Sequence, residues 1–279
     1  MLTVGLATSE KWPSLSPDDA PLFADLRSLG VDARAVVWSD PAADWSKFDL
    51  VVIRSCWDYH LRADEFRRWI GSLRRPLFNP PDIVRWNMHK SYLVDLQEKR
   101  VRIPRTQILR EAGTIDFEGS IIVKPAVSAS AYETHRFGRA RDAVRTITRL
   151  IRNGDVVVQE FVPEIVADGE WSLVFIDREF SHAVRKAPGS GDFRVQVELG
   201  GSADPAAAPA ELVDEARAIL AKVEGDLLYA RVDLVARIQG VMLMELELIE
   251  PHLFLASAPG SARRFAEAIV RRAKATSGT

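Results

Sequence analysis

The chain has 279 residues, with 37 lysines and arginines against 39 acidic residues and a net charge of −2 at pH 7. That length is enough for a sizeable core, as one large domain or two to three small ones, and the charge balance gives no global attraction for nucleic acid or an anionic membrane. A single cysteine, Cys56, excludes an internal disulfide and a cysteine-cluster metal site, and the five histidines lack zinc-motif spacing.

In chain order, the opening MLTVGLATSEKW lacks a basic lead and a long apolar core, and no run approaches the ~20 apolar residues of a membrane span. A cytoplasmic protein is expected. Residues 2–7 read as an apolar strand, and Ser16-Pro17-Asp18-Asp19 reads as an N-cap, a proline at N1 and an acidic first turn. That helix should end near Gly30. Strands at 33–38 and 49–54, a helix at 63–73 and a short strand at 77–79 complete a βαβ-type layer, with a boundary at Pro80 and a first domain of residues 1–80. A central region, 81–160, carries a helix from Lys90 to Lys99, a strand at 106–109, a buried strand at 121–123, a small-residue loop at 126–131, a helix at 140–151 and a strand at 156–161. The third region, 161–279, has strands at 171–176 and 181–185, a helix at 210–223, an acidic hairpin and a final helix at 262–275. The basic residues between 139 and 152 recur at helical spacing and read as a solvated helix face. The fold class is α/β, or α+β.

The hairpin carries Asp233, Glu245, Glu247 and Glu250 on segments that otherwise read as buried strands. Buried carboxylates are costly unless paired or metal-bound, so such a set suits a hard cation such as Mg2+; solvent-facing decoration is the other reading. Alternation puts Val232, Leu234 and Ala236 with Met242, Met244, Leu246 and Leu248 on one face, leaving Asp233, Glu245 and Glu247 on the other. A two-residue Gln239-Gly240 turn would pair Asp233 with Leu246, on the wrong face. Convergence of the three acids therefore requires an odd-length loop or a bulge.

Other segments carry chemistry. Lys124 ends the apolar strand IIVKP, where its ammonium either meets an anion or reaches solvent. Lys90 sits at a helix start, against the macrodipole. Ser128 and Ser130 lie in a small-residue loop whose backbone N–H groups could approach phosphate, although GxxxxGK[ST] and GxGxxG are absent. Gln159, Glu160, Phe161 and Val162 end a buried strand before Pro163, as a hinge between lobes would. Arg194 in GSGDFR adds a loop cation. At the end of another strand, Arg54 to His60 gathers polar and aromatic residues where α/β layers place ligand contacts. Arg54, Trp57 and Asp58 are candidate substrate contacts, with Trp57 and Tyr59 otherwise plugging an interface; Cys56 reads as a small buried hydrophobe.

In this order the pieces resemble the ATP-grasp superfamily from about Asn79 to Pro251, in its glutathione synthetase-like branch. NPPDIVRWNMHK…IPRT, IIVKP, VVVQEFV, GDFR…GG and VDLV…LMELE each look like a family motif. The resemblance implies an N-terminal βαβ-type domain followed by two lobes that clamp a nucleotide. Lys90, Lys124, Ser128 and Ser130 would meet the ATP phosphates, Gln159 to Val162 the adenine and Glu170 the ribose. Asp233, Glu245 and Glu247 would bind Mg2+, commonly two ions, with Mn2+ as a substitute. Arg194, and Arg185 or Lys186, would stabilise the transferring phosphoryl group. The implied chemistry is phosphorylation of a carboxylate by ATP and attack of an amine-type nucleophile on the acyl-phosphate. Departures are the glycine-poor phosphate loop, Glu170-Trp171-Ser172 where an arginine is usual, Glu247 in place of asparagine, and LIEPHLF after the last acid. This ending, with the short N-terminal layer, looks most like the small ATP-grasp ligases typified by the cyclo-ligase that closes the ring of cycloserine, and leaves Glu250 as a substrate-side group. A small-molecule carboxylate is the expected partner, without nucleic acid or membrane, and a homo-oligomer is compatible with the family. An intermolecular ligase acting on a peptide or protein tail, and a non-catalytic ATP-binding module, are the alternatives.

Overall fold

The computed structural model describes residues 1–277. Strands β1 (Thr3–Thr8), β2 (Asp32–Val37), β3 (Leu50–Ile53) and β4 (Leu77–Phe78) form a parallel sheet in the order β2-β1-β3-β4, with helices α1 (Ala20–Ser28) and α2 (Ala63–Ser72) as crossovers. Parallel strands are covered on both faces, and the side chains divide accordingly. Val4, Leu6, Leu50 and Val52 pack with Leu22 and Leu26 of α1, whereas Ala7, Val51 and Ile53 pack with Phe66, Trp69 and Ile70 of α2.

After Pro80 the chain departs from the expected single helix. Helix α3 (Pro81–Asn87) begins at once, and α4 (Tyr92–Glu98) follows a turn that contains Lys90. Pro81 suits the first turn of α3, where its missing N–H costs nothing. Strands β5 (Thr106–Leu109), β6 (Ile121–Pro125), β7 (His135–Phe137) and β8 (Val156–Glu160) then make an antiparallel sheet ordered β5-β8-β6-β7, backed by α5 (Val144–Leu150).

Beyond the short helix α6 (Glu164–Asp168), strands β9 (Glu170–Ile176), β10 (Glu179–Ala187), β11 (Ser202–Pro205), β12 (Tyr229–Val235) and β13 (Met242–Glu247) form an antiparallel sheet ordered β11-β10-β9-β12-β13. Helix α7 (Ala210–Ala221) covers one face, burying Leu212, Ala216 and Ile219 against Leu173, Phe175, Val232, Leu234 and Leu246. The other face is divided. Val174, Ile176 and Tyr229 pack with Phe265 and Ile269 of the C-terminal helix (Ser261–Ser277), which also covers Val4 and Leu6 of the N-terminal sheet. The rest of that face is polar and looks across at the central sheet.

Buried Asn79 fastens the end of β4 to this third sheet: its Nδ2 donates to the carbonyls of Tyr229 (2.9 Å) and Leu248 (2.8 Å), and its Oδ1 accepts from Leu228 N–H (2.7 Å). Among the described residues no helix is long and apolar enough to cross a membrane.

Candidate active site

The acidic hairpin contains the bulge that alternation demanded. Arg231, Val232 and Asp233 pair with Glu247, Leu246 and Glu245, and Leu234 then pairs with Leu243, so Met244 is the extra residue. The shift puts Leu243 with Leu246 on the α7 side, packs Met242 and Met244, which alternation had placed there, with Val162 and Val235 instead, and turns Asp233, Glu245 and Glu247 together onto the polar face. Each offers an oxygen within 4.8 Å of the others. The outer edge of β13 is held from the N-terminal side: Asn87 bonds Leu246 C=O and Leu248 N–H (both 2.8 Å), and Tyr92 Oη accepts Leu246 N–H (3.0 Å). The asparagine that precedes Lys90 by three residues thus sets the strand that faces that lysine.

Four cations surround the acids. Lys90 and Lys124 reach Glu245 Oε1 at 3.2 and 3.0 Å from the central sheet and the turn beside it. Arg231 makes a bidentate bond to Asp233 (3.0 Å for both contacts) and also meets Glu247. Lys186 bridges Asp233 (3.0 Å) and Glu170, and Ser172 Oγ donates to Asp233 (2.6 Å). Burial would raise every carboxyl here, but Lys90 and Lys124 hold Glu245 well below the ordinary value, and Arg231 and Lys186 hold Asp233 below it. Glu247 is raised by burial, with Asp233 and Glu245 adding to that effect against its single arginine partner. Burial pushes Glu170 up to about 6 despite Lys186. These oxygen donors, Asp233 buried and Glu245 and Glu247 half-buried, with Glu247 short of positive charge, fit a hard divalent cation. Lys124 shows the converse: burial lowers its pKa, Glu245 compensates only in part, and an anion entering beside it would be stabilised.

The expected nucleotide contacts line one cleft. Lys90 also donates to the carbonyl of Ser128 (3.3 Å), and Ser128 and Ser130 stand on the loop that covers the lysines. Ser130 and Ala131 have φ of +51° and +54°, so the loop takes left-handed conformations without glycine. At the other end, Gln159, Glu160, Phe161 and Val162 line the cleft with Ile122 and Ile165. The N–H groups of Glu160 and Phe161 are taken by the carbonyls of Arg105 (2.9 Å) and Ser120 (3.0 Å). Val162 N–H has no such partner among the described residues. Glu170 lines the same cleft, bonded to Lys186.

Lys186 points into the site, whereas Arg185, its neighbour on β10, faces outward to the carbonyl of Asp168 (2.7 Å from Nε), so strand alternation removes Arg185 from the expected phosphoryl set. Arg194 lines the cleft from the loop after β10, paired with Asp192 at 2.7 Å.

The substrate-side expectations divide. Arg54 is only 1 % exposed and its Nε is bonded to Asp19 (2.8 Å), so it does not line the cleft. Asp58 accepts from Trp38 Nε1 (2.8 Å) and pairs with Arg62 (3.1 Å), also outside the cleft. The expectation that Arg54 and Asp58 contact substrate is therefore corrected, because each group already has a counterpart in the N-terminal layer. Cys56 is fully buried and burial pushes its thiol up, as suits an inert hydrophobe. Trp57 and Glu250 do line the cleft.

The segment after β13 explains Arg54 and Trp57. Six consecutive carbonyls, from Leu248 to Leu253, are taken in turn by side chains of Asn79 (2.8 Å), Tyr229 (2.7 Å), Trp57 (2.8 Å), Arg54 (3.0 Å), Arg231 (3.2 Å) and His182 (2.7 Å). Irregular backbone is thereby satisfied and fixed without a strand partner. Arg231, which also binds two of the acids, was not anticipated; its signal was its place two residues before Asp233, hence on the same strand face. His252, whose Nε2 is 3.4 Å from Asp18 Oδ2, was likewise unanticipated.

His182 donates from Nε2 to Leu253 C=O and accepts at Nδ1 from Ser181 (2.9 Å), a neutral tautomer. Burial is the largest cause holding His60, His89 and His182 below the ordinary 6.5. As pH falls below 6.5 the unfolded chain takes up these protons first, so stability present above that value is lost as pH falls through the folded values. The melting temperature is expected to fall between pH 7.5 and 5.5, and less so in His182→Gln; equal losses in both proteins would exclude His182 from the linkage.

Comparison with known proteins agrees with this geometry. Residues 4–79 match the family model of the N-terminal domain of D-cycloserine synthetase DcsG, and residues 96–254, over half of the chain, match that of the prokaryotic glutathione synthetase ATP-grasp domain. The cycloserine biosynthesis protein DcsG of Streptomyces lavendulae is 32% identical over 285 residues, covering 92% of this chain and 94% of that protein. The crystal structure of D-cycloserine synthetase DcsG superposes with a TM-score of 0.86 at 29% identity, covering 97% of this chain and 99% of that one. The D-alanine–D-alanine ligase of Bacillus anthracis complexed with ATP shares the fold, with a TM-score of 0.71 at 12% identity over 99% of this chain and 98% of that one. The chain belongs to the ATP-grasp family, whose ligases use ATP and a divalent metal to form C–N bonds.

Proposed function

We propose that the protein activates the carboxylate of a small amino-acid derivative as an acyl-phosphate and closes it onto an amine-type nitrogen of the same molecule. The observation that carries this reading is the layout of one cleft. Its hinge and lysines suit a nucleotide, its acids suit Mg2+, and it is also walled by Trp57 and Tyr59 from the loop after β3 and by His252 and Phe254 at the end of the pinned segment. That wall suits a small molecule, and the similarity to a cycloserine synthetase along the whole chain supports ring closure.

In this reading Val162 N–H and Gln159 hold the adenine and Glu170 the ribose. Lys90 and Lys124 exchange part of their hold on Glu245 for phosphate oxygens, which neutralises charge that burial makes expensive. Mg2+ on Asp233, Glu245 and Glu247 supplies neutralisation of the phosphate oxygens. The substrate carboxylate attacks the γ-phosphorus and ADP leaves; the nitrogen then attacks the acyl carbon, phosphate leaves with the bonding pair, and the nitrogen loses its proton. Lys186, Arg231 and Arg194 counter the developing charge by position alone, so no nucleophilic side chain is needed.

Purified protein with ATP, Mg2+ and a panel of amino acids, including one with an aminooxy side chain, is expected to release ADP and phosphate in equal amounts only with a cognate acid, and to form a cyclic product. Turnover confined to peptides would favour the intermolecular ligase. Tight ATP binding without turnover on any acid would favour a binding module.

A further inference from the structure

Each of the four carboxylates gathered around the acidic hairpin has a cation. Asp233 has Arg231 and Lys186, Glu245 has Lys90 and Lys124, Glu247 has Arg231, and Glu170 has Lys186. Glu250 differs. It is 8 % exposed and lines the cleft, yet among the described residues its carboxyl meets only the N–H of its own residue. The imidazole of His252 is directed at Asp18 instead, with Nε2 at 3.4 Å from Oδ2.

The position of Glu250 is not an accident of a loose loop. Its own carbonyl and those of the residues on either side are held by Trp57, Tyr229 and Arg54, which fixes the backbone that presents the carboxyl. An unpaired buried carboxyl is a standing cost unless something arriving in the cleft relieves it. Glu250 is three residues from Glu247, at most about 10 Å of extended chain. A cationic group held there would thus lie within a small molecule's length of the phosphoryl-transfer centre. The wall formed by Trp57, Tyr59 and Phe254 also suits an ammonium group.

We infer that Glu250 is the specificity residue for the substrate's ammonium group, so that the cleft selects amino acids over their des-amino counterparts. This deepens, and rests on, the ligase reading above. In the empty site burial and Glu247 raise the Glu250 pKa well above the ordinary value, against the longer-range pull of Lys90 and Arg231; an ammonium in direct contact supplies the ion-pair partner that Glu250 lacks.

The test uses Glu250→Gln, which keeps size and hydrogen-bonding atoms. Binding of cycloserine, of D- and L-serine, and of the des-amino analogue of each is measured by tryptophan fluorescence or calorimetry, and turnover is followed on any acid that supports it. Wild type is expected to prefer one amine to its des-amino partner, and Glu250→Gln to erase that preference, raising its Kd or KM roughly 30-fold or more with a much smaller change in kcat. ATP affinity and melting temperature, unchanged in the variant, show that the fold and nucleotide site survive. If wild type shows no preference for any amine, or the variant retains it, the inference is overturned. A kcat loss without a KM change would overturn it in favour of a proton-transfer role. Failure of the ligase reading is seen separately, as absence of ADP release by wild type.

Discussion

Glu245→Gln is expected to lower kcat/KM by roughly 10³-fold, because a single substitution weakens three features of the site at once. It removes one of three clustered carboxylates, so the apparent requirement for divalent metal should shift to higher concentration. It also removes the shared anion of Lys90 and Lys124. Lys124 already has a lowered pKa from burial, and without Glu245 that depression deepens, so a larger share of the lysine is neutral and unable to meet phosphate. The measurement is coupled ADP release against metal concentration, with nucleotide affinity and melting temperature recorded alongside. Wild-type kinetics in this variant would remove Glu245 from the site.

Arg54→Met is expected to act on stability instead, costing about 3–5 kcal/mol by leaving Asp19 buried without its cation. Ser16 (2.9 Å) and Ser55 (2.6 Å) still donate to Asp19, but neither carries charge. The substitution also frees the carbonyl of Pro251. Against a total stability of about 5–15 kcal/mol this is a large fraction, with a fall in melting temperature of about 10 °C. Below the new transition, KM for the acid should stay within about threefold of wild type, since Arg54 does not line the cleft and Trp57 and Tyr229 still hold the carbonyls of Glu250 and Ile249. A tenfold rise in KM with unchanged melting would restore Arg54 to the substrate.

The contrast between these two residues shows how far the sequence could be read. Glu245, Glu247 and Asp233 were legible because period-2 alternation sorts a strand's faces, and because three acids on a buried face admit few explanations. The need for an odd-length loop or a bulge was legible for the same reason, and Met244 proved to be the inserted residue. Arg54 was misread as a ligand contact because an arginine at the end of a buried strand announces only that an anion is near. That anion is Asp19, 35 residues earlier in the chain. Arg185 and Lys186 formed an ambiguous pair for a different reason: adjacent strand residues face opposite ways, and only the sheet shows which face holds the acids.

By itself, then, the sequence determined the local geometry: the βαβ layer, the shared face of Asp233, Glu245 and Glu247, the lysine near the end of a buried strand and the buried strand that closes at Gln159 and Glu160. These follow from propensity and periodicity, which act over a few residues. The tertiary structure alone decided which charges neutralise one another. Arg231 joins Asp233 to Glu247, Lys186 joins Asp233 to Glu170, and side chains from both ends of the chain hold the carbonyls of Leu248 to Leu253. Buried charge must be balanced by whatever lies near it in space, at any distance along the chain, so Glu250 could be recognised as the carboxyl without a partner only once the partners of the others were known.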